Sequence, residues 1–289
     1  MQLPPTPMIL DELRTTVGPS FLIGVGVLIF YRLVLGKSYT PLAAVVALVL
    51  SLAVGNHLGQ LNPAWWPTEK RFTWLLWLAA AGSLAAAVVR SLKWPTVGHA
   101  LWAAVAAVAV IRVVPKDYLT TPTWAVPAFV LLAAAVGFGL MRLSERRPGP
   151  LTPFVMAAAL MTAGAVVIHA HSKSLLDVAT LGGMCLFGIA AVVLVTKGDA
   201  GPALPGAAFL LTGVLLAGHY ETFSKVPTTA FVLPAVAPLL ALVGLIPAVD
   251  RQQPWVRLVI VLLPVLAVLA VAGGLAAANE SLAFGEDEY

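Results

Sequence analysis

Residues 151–225 read LTPFVMAAALMTAGAVVIHAHSKSLLDVATLGGMCLFGIAAVVLVTKGDAGPALPGAAFLLTGVLLAGHYETFSK, and the same texture continues to Ala248. Together these residues make four apolar runs of roughly 20 residues, the length needed to cross a hydrocarbon layer. The runs are apolar on every face rather than along one stripe, so they do not read as a helical bundle in water. Polar side chains are confined to short connections. Two of these, Ile-His169-Ala-His171-Ser-Lys173 and Gly-His219-Tyr220-Glu221-Thr222-Phe223-Ser224-Lys225, carry most of the residues capable of chemistry.

The rest of the chain obeys the same rule. Of 289 residues, 60% are hydrophobic and 10% charged, and mean hydropathy is +0.94. An ordinary soluble domain carries about 25% charged residues. The sequence therefore predicts an all-α, polytopic integral membrane helical bundle: one membrane domain over residues 1–289, with short loops and no soluble domain. Spans are expected at about 18–35, 40–59, 72–92, 96–114, 122–143, 151–169, 174–196, 201–219, 228–248 and 254–278. That is about ten transmembrane helices, or 9–11 if neighbouring runs split or fuse. A polar tail (1–17) precedes them and an acidic tail (279–289) follows. Asp11, Glu12 and the single Arg14 do not make the basic stretch of a cleaved signal peptide.

Several function classes are disfavoured directly. The net charge is +4, yet the basic residues are spread over loops and helix ends, with no run or aromatic-interleaved patch for a phosphate backbone, so no nucleic acid is expected. The lone Cys185 sits in an apolar run and reads as a small packing residue. A nucleotide-binding loop, Ser-x-x-Lys, Cys-x-x-Cys and Cys-x-x-Cys-His are all missing from the sequence, which leans away from an enzyme. No Asp, Glu, Lys or Arg stands near the centre of a predicted span; Arg112, Asp177 and Arg257 lie near span ends. Ion-coupled carriers usually keep such a group at depth, so the pattern counts against a proton- or sodium-driven carrier and is neutral toward a carrier of apolar or uncharged substrates.

With ten spans both termini share a side. Arg14, Lys70, Arg71, Arg112, Lys116, Lys173 and Lys225 lie on that side. The other holds Arg32, Lys37, Arg90, Lys93, Arg142, Arg146, Arg147, Lys197, Arg251 and Arg257, which completes the 17 basic residues. The positive-inside rule then places the second set in the cytoplasm, and the termini and the His turns on the non-cytoplasmic side. The expected location is a bacterial inner (plasma) membrane. The bilayer is the expected partner, joined by a membrane-protein partner or by further copies of the chain in a homo-oligomer.

Individual spans add detail. Trp65 and Trp66, with Trp74 and Trp77, resemble an interfacial aromatic belt. The third span, rich in Ala and Gly, is expected inside the bundle, where small residues let helices approach closely. Gly182-Gly183 and Gly273-Gly274 read as close helix contacts in the same way. In the ninth span, Pro234 and Pro238 each remove a backbone hydrogen bond, so a kink or broken helix is expected there. Broken helices line substrate sites in many transporters. The charged break at Glu145–Pro150 near the midpoint would also allow a five-plus-five inverted repeat, although no residue-level match between the halves supports it.

The candidate site is the cluster His57, Gln60, His169, His171, Asp177, His219, Tyr220 and Glu221 on one face. Imidazoles and carboxylates at one depth can ligate a metal, bind a haem or relay protons. They are equally the ordinary solvated residues of a membrane interface. Spacings of two, as in His169/His171 and His219/Glu221, point side chains to opposite sides of a helix, so this is not a helical zinc pair. The leading expectation is a small-molecule or lipid permease, or an accessory membrane subunit, opening on the outer face. Its substrate-binding candidates are His57, His169, His171, His219, Glu221, Pro234 and Pro238. One alternative is a redox or metal- or haem-dependent enzyme using His57, His169, His171, His219 and Glu221; the sequence specifies no cofactor. The other is a structural subunit of a complex, joined through the small-residue surfaces of the third and fourth helices.

Overall fold

An unbroken apolar run satisfies its backbone N–H and C=O groups internally only as a helix, and this chain does so ten times. The computed structural model describes residues 13–58, 71–114, 125–221 and 225–279, with backbone alone at Leu13, Arg71, Ala125, Glu221 and Asp250. The helices are α1 (Gly18–Val34), α2 (Thr40–Leu58), α3 (Arg71–Arg90), α4 (Pro95–Val113) and α5 (Ala125–Arg146), then α6 (Leu151–His169), α7 (Lys173–Thr196), α8 (Leu204–Glu221), α9 (Thr228–Leu240) and α10 (Pro254–Asn279). Short 3-10 stretches, Gly201–Ala203 and Ala241–Leu245, lead into α8 and extend α9. All ten helical segments are long and apolar enough to cross a membrane. Trp65, Trp66, Gln60, the residues 222–224, and the tails at 1–12 and 280–289 lie outside the described residues.

The turns follow from local chemistry. Gly36 closes the α1–α2 connection at φ 89° with ψ 176°, a backbone region open essentially to glycine alone. Between α6 and α7, the Ser172 N–H donates to the Val167 carbonyl and the His171 N–H to that of Ile168. This is a Schellman cap, and it leaves His171 in the left-handed region at φ 61°.

α8 is the axis of the bundle. Of its span-length stretch 94% is buried, against 17% for the segment containing α1 and 22% for α10. α3, α5, α6, α7 and α9 pack around it. Its glycines set those approaches: Gly206 meets Ala79 and Ser83 of α3, Gly213 meets Leu75, and Gly218 meets Val167 of α6 and Phe231 of α9. The small face of α3 is thus turned inward onto α8, and Ser83 Oγ donates to the Ala203 carbonyl at 3.2 Å. α1 packs on α7 through Gly24 and Gly188, each set against a backbone carbonyl (Cys185 and Phe21). Cys185 is buried at that contact.

Three details differ from expectation. α9 stays α-helical through Pro234 and Pro238. A proline deletes one backbone bond, and its neighbours hold the helix. The change comes later, where α9 tightens to 3-10 at Ala241 and ends at Ile246. Ile246 has ψ 127° because Pro247 excludes the residue before it from the helical region. Secondly, Gly273-Gly274 is not a close contact: a Cβ at either position would meet nothing within 4 Å among the described residues. α10 is peripheral, and this pair faces away from the bundle. Thirdly, the two halves pair differently. α10 packs on α6 and α9, whereas α5, its counterpart, packs chiefly on α8 across the midpoint.

Candidate functional site

Helix packing brings the His-bearing turns to one end of the bundle. Gly55, near the end of α2, meets Leu181 in the first half of α7, and Gly218, near the end of α8, meets α6 and the start of α9. His57, His169, His171 and His219 therefore share an end, but they have different surroundings. His57 is exposed, His169 is buried in the last turn of α6, and His171 is exposed in its turn. His219 is half-buried, its ring centroid 4.7 Å from that of Tyr220 and 5.3 Å from that of Phe231. Asp177 is buried in α7. Among the described residues no three His, Cys, Asp or Glu side chains come together to hold a metal. The Glu221 side chain and Gln60 lie outside those residues.

The left-handed backbone at His171 explains that residue without a ligand. A side chain there costs roughly 1–2 kcal/mol relative to glycine. His171→Gly is therefore expected to hold or raise stability by up to about 1 kcal/mol, and His171→Val to lower it by about 1–2 kcal/mol. Thermal unfolding of the purified variants checks both; a destabilised glycine variant would show that the imidazole itself is needed.

His219 lines a cavity of ligand size. A cavity of about 740 Å³ lies between α5, α8 and α9, in the half of the bundle nearer the His turns. Its wall is apolar: Ala128, Phe129, Leu132 and Ala135 from α5, Leu215 and Leu216 from α8, and Phe231, Val232 and Ala235 from α9. His219, Tyr220 and Thr228 supply polar groups at one end and Thr212 at the other. The Thr212 hydroxyl is engaged with the Ala208 carbonyl at 2.8 Å. That leaves His219, Tyr220 and Thr228 as the polar rim. Below, Phe129 sits 6.4 Å from Phe209, whose ring stacks on Trp102 at 4.8 Å. Rim residues Leu131 and Val232 are 67% and 46% exposed, so the cavity opens sideways between helices. Pro234 and Pro238 are buried in α9, and neither lines it.

A second constellation escaped the sequence reading. At the opposite end of the bundle Asp199 is 8% exposed. Its Oδ1 accepts from Ser144 Oγ at 2.6 Å and from the Gly201 N–H at 2.8 Å. Arg90 lies 3.3 Å from Asp199 Oδ2 and 3.2 Å from Glu145 Oε1. The ends of α3 and α5 are thereby tied to the start of α8. One signal was available: Asp199-Ala-Gly-Pro202 ahead of an apolar run is a helix-entry pattern, in which the carboxylate takes the N–H two residues on. The partners, 55 or more residues away, carried no local signal.

The candidate partner surface divides. On α3 the small residues are used within the chain, whereas Ala103, Ala104 and Ala107 of α4 are exposed. Fold and cavity define a class, an all-helical protein with ten span-length apolar helices around a buried central one. No protein-family model, curated protein or solved structure matches the chain.

Proposed function

We propose that the chain is an integral membrane permease for a lipid-like or otherwise apolar small molecule, which it takes up in the groove between α5, α8 and α9. The observation that carries this reading is the groove itself: about 740 Å³, apolar along its length, with His219, Tyr220 and Thr228 at one end. Small-molecule sites of roughly 300–1,000 Å³ with apolar walls and a few polar groups are the usual form. The arrangement suits an amphiphile whose tail lies against Leu132, Leu215 and Val232 while its polar group meets His219 and Tyr220. Membrane insertion is favoured by large apolar side chains turned outward on three different helices, Leu33 of α1 at 80%, Val195 of α7 at 82% and Leu263 of α10 at 64% exposed. The basic residues at the opposite end orient the groove mouth to the outer side of a bacterial inner membrane. Passage onward requires α5 and α9 to shift against α8 and the Phe129–Phe209–Trp102 rings to part.

Ala135 tests this directly, because it lines the groove yet is exposed, so a larger side chain fills the cavity without entering the core. Ala135→Trp is expected to leave the unfolding temperature within a few degrees of wild type and to weaken binding of a photoreactive fatty-acyl probe about tenfold or more. Equal labelling of both proteins, or labelling that maps elsewhere, overturns the reading.

A further inference from the structure

The rings below the groove continue beyond its floor. Trp102 of α4 stacks on Phe209 of α8, with centroids 4.8 Å and planes 23° apart, and makes a T-shaped contact with Phe138 of α5 at 5.1 Å. Phe138 in turn lies 5.4 Å from His99, which is exposed one turn from the start of α4. Phe129, Phe209, Trp102, Phe138 and His99 thus form a ladder of rings from the groove toward the opposite end of the bundle. Backbone spacing explains why rings fill this seam, since α4 packs chiefly on α3 and approaches α5 and α8 little. Within the ladder one polar atom is out of place. Trp102 is 7% exposed, and its buried indole N–H has no acceptor among the described residues. A buried Trp N–H ordinarily finds one, and leaving the donor unmet costs free energy. A ring face is a weak substitute for an oxygen. Phe at this position would supply a ring against Phe209 without burying a donor, so packing gives no reason for Trp.

We infer, resting on the permease reading, that Trp102 is a second station for the transported molecule, donating its indole N–H to a neutral oxygen. The substrate is accordingly a lipid-like ester or ketone rather than a charged amphiphile. Two features fix this class. The indole N–H is a donor only, so its ligand must bring an acceptor. No Asp, Glu, Lys or Arg occurs in α4 between Pro95 and Ile111, in α5 between Val126 and Met141, or in α8 between Leu204 and Tyr220. A charged group passing along these helices would therefore lose its water and meet no countercharge. A carbonyl oxygen meets the first demand and escapes the second. On entry that oxygen meets His219 at the rim; it reaches Trp102 when the Phe129 and Phe209 rings swing aside, while the apolar chain still lies along the groove wall.

The test is photolabelling of the full chain in lipid nanodiscs with two probes of equal length, a fatty-acyl methyl ester and an alkane. Each carries a diazirine, beside the ester carbonyl or at the matching carbon of the alkane. Both are expected to label the groove, and the ester to label α4 around Trp102 about fivefold more than the alkane does. W102F, which keeps a ring against Phe209, is expected to label in the groove like wild type and to lose the ester preference at α4. A purely structural role for the indole would change labelling by both probes and leave their ratio intact. Should W102F fail to fold, the ester-to-alkane ratio in wild type decides by itself. Groove labelling that stops short of α4, equal labelling of α4 by both probes, or a W102F protein that keeps the preference overturns the Trp102 station and leaves the permease reading standing. No labelling of the groove by either probe overturns that reading, and the station with it.

Discussion

Asp199→Ala is expected to cost about 3–5 kcal/mol of stability, far more than loss of an ordinary loop carboxylate. The side chain is 8% exposed and accepts from both Ser144 Oγ and the Gly201 N–H. A hydrogen bond to a charged acceptor contributes about 1.5–3 kcal/mol, and its removal strands the donor. The ion pair is the smaller part. Arg90 is 37% exposed, so water screens it and replaces it when it is lost. Asn at 199 keeps an acceptor oxygen for both donors but gives up the charge and turns an NH2 toward Arg90 in place of Oδ2, which points to a loss of about 1–2 kcal/mol. Arg90→Met, which leaves both hydrogen bonds to Asp199 in place, should cost least, about 1 kcal/mol or less. Unfolding temperatures of detergent-purified protein, read as loss of the monodisperse peak, rank the three variants. An alanine variant within about 0.5 kcal/mol of wild type would mean that the network contributes nothing net.

That network marks the boundary of what could be read from sequence. Helix existence was legible because it depends on composition within one stretch: residues 151–169 are apolar throughout, and α6 covers Leu151–His169. A site depends on which faces meet, and runs that are apolar on every side do not encode their facing. Arg90 and Glu145 entered the sequence reading only as charges at helix ends and Asp199 not at all, because nothing local to any of them names the other two. The His turns were conspicuous for the opposite reason, as polar residues in an apolar chain. Of their described residues, His219 and Tyr220 line the groove, since their helix is the one that α5 and α9 flank. Pro234 and Pro238 were read as a kink or a break; α9 is unbroken at both, and it ends instead before Pro247, through that residue's effect on Ile246.

Glycines show the same limit, with a sharper experimental consequence. Gly206→Ala is expected to destabilise by about 3 kcal/mol or more, and Gly206→Leu to leave no folded protein. A Cβ at 206 would collide with the Ala79 carbonyl oxygen and with Ser83 Oγ, and would come within 2.7 Å of the Ser83 nitrogen. Two of these three atoms are backbone, so no rotamer change makes room; α3 must move away from α8. That displacement would also disturb the Ser83–Ala203 hydrogen bond and the Arg90–Asp199 pair along the same interface. Ser83→Ala added to Gly206→Ala should rescue only part of the loss, because the Ala79 carbonyl remains. Gly274→Ala is the control with the opposite sign. Nothing described lies within 4 Å of its Cβ, so only helix propensity acts, gaining up to about 1 kcal/mol. Both glycines lie within apolar helices, and intrinsic propensity treats them alike. A Gly206→Ala protein as stable as wild type, measured beside Gly274→Ala, would rule out the close α3–α8 approach and with it the central placement of α8.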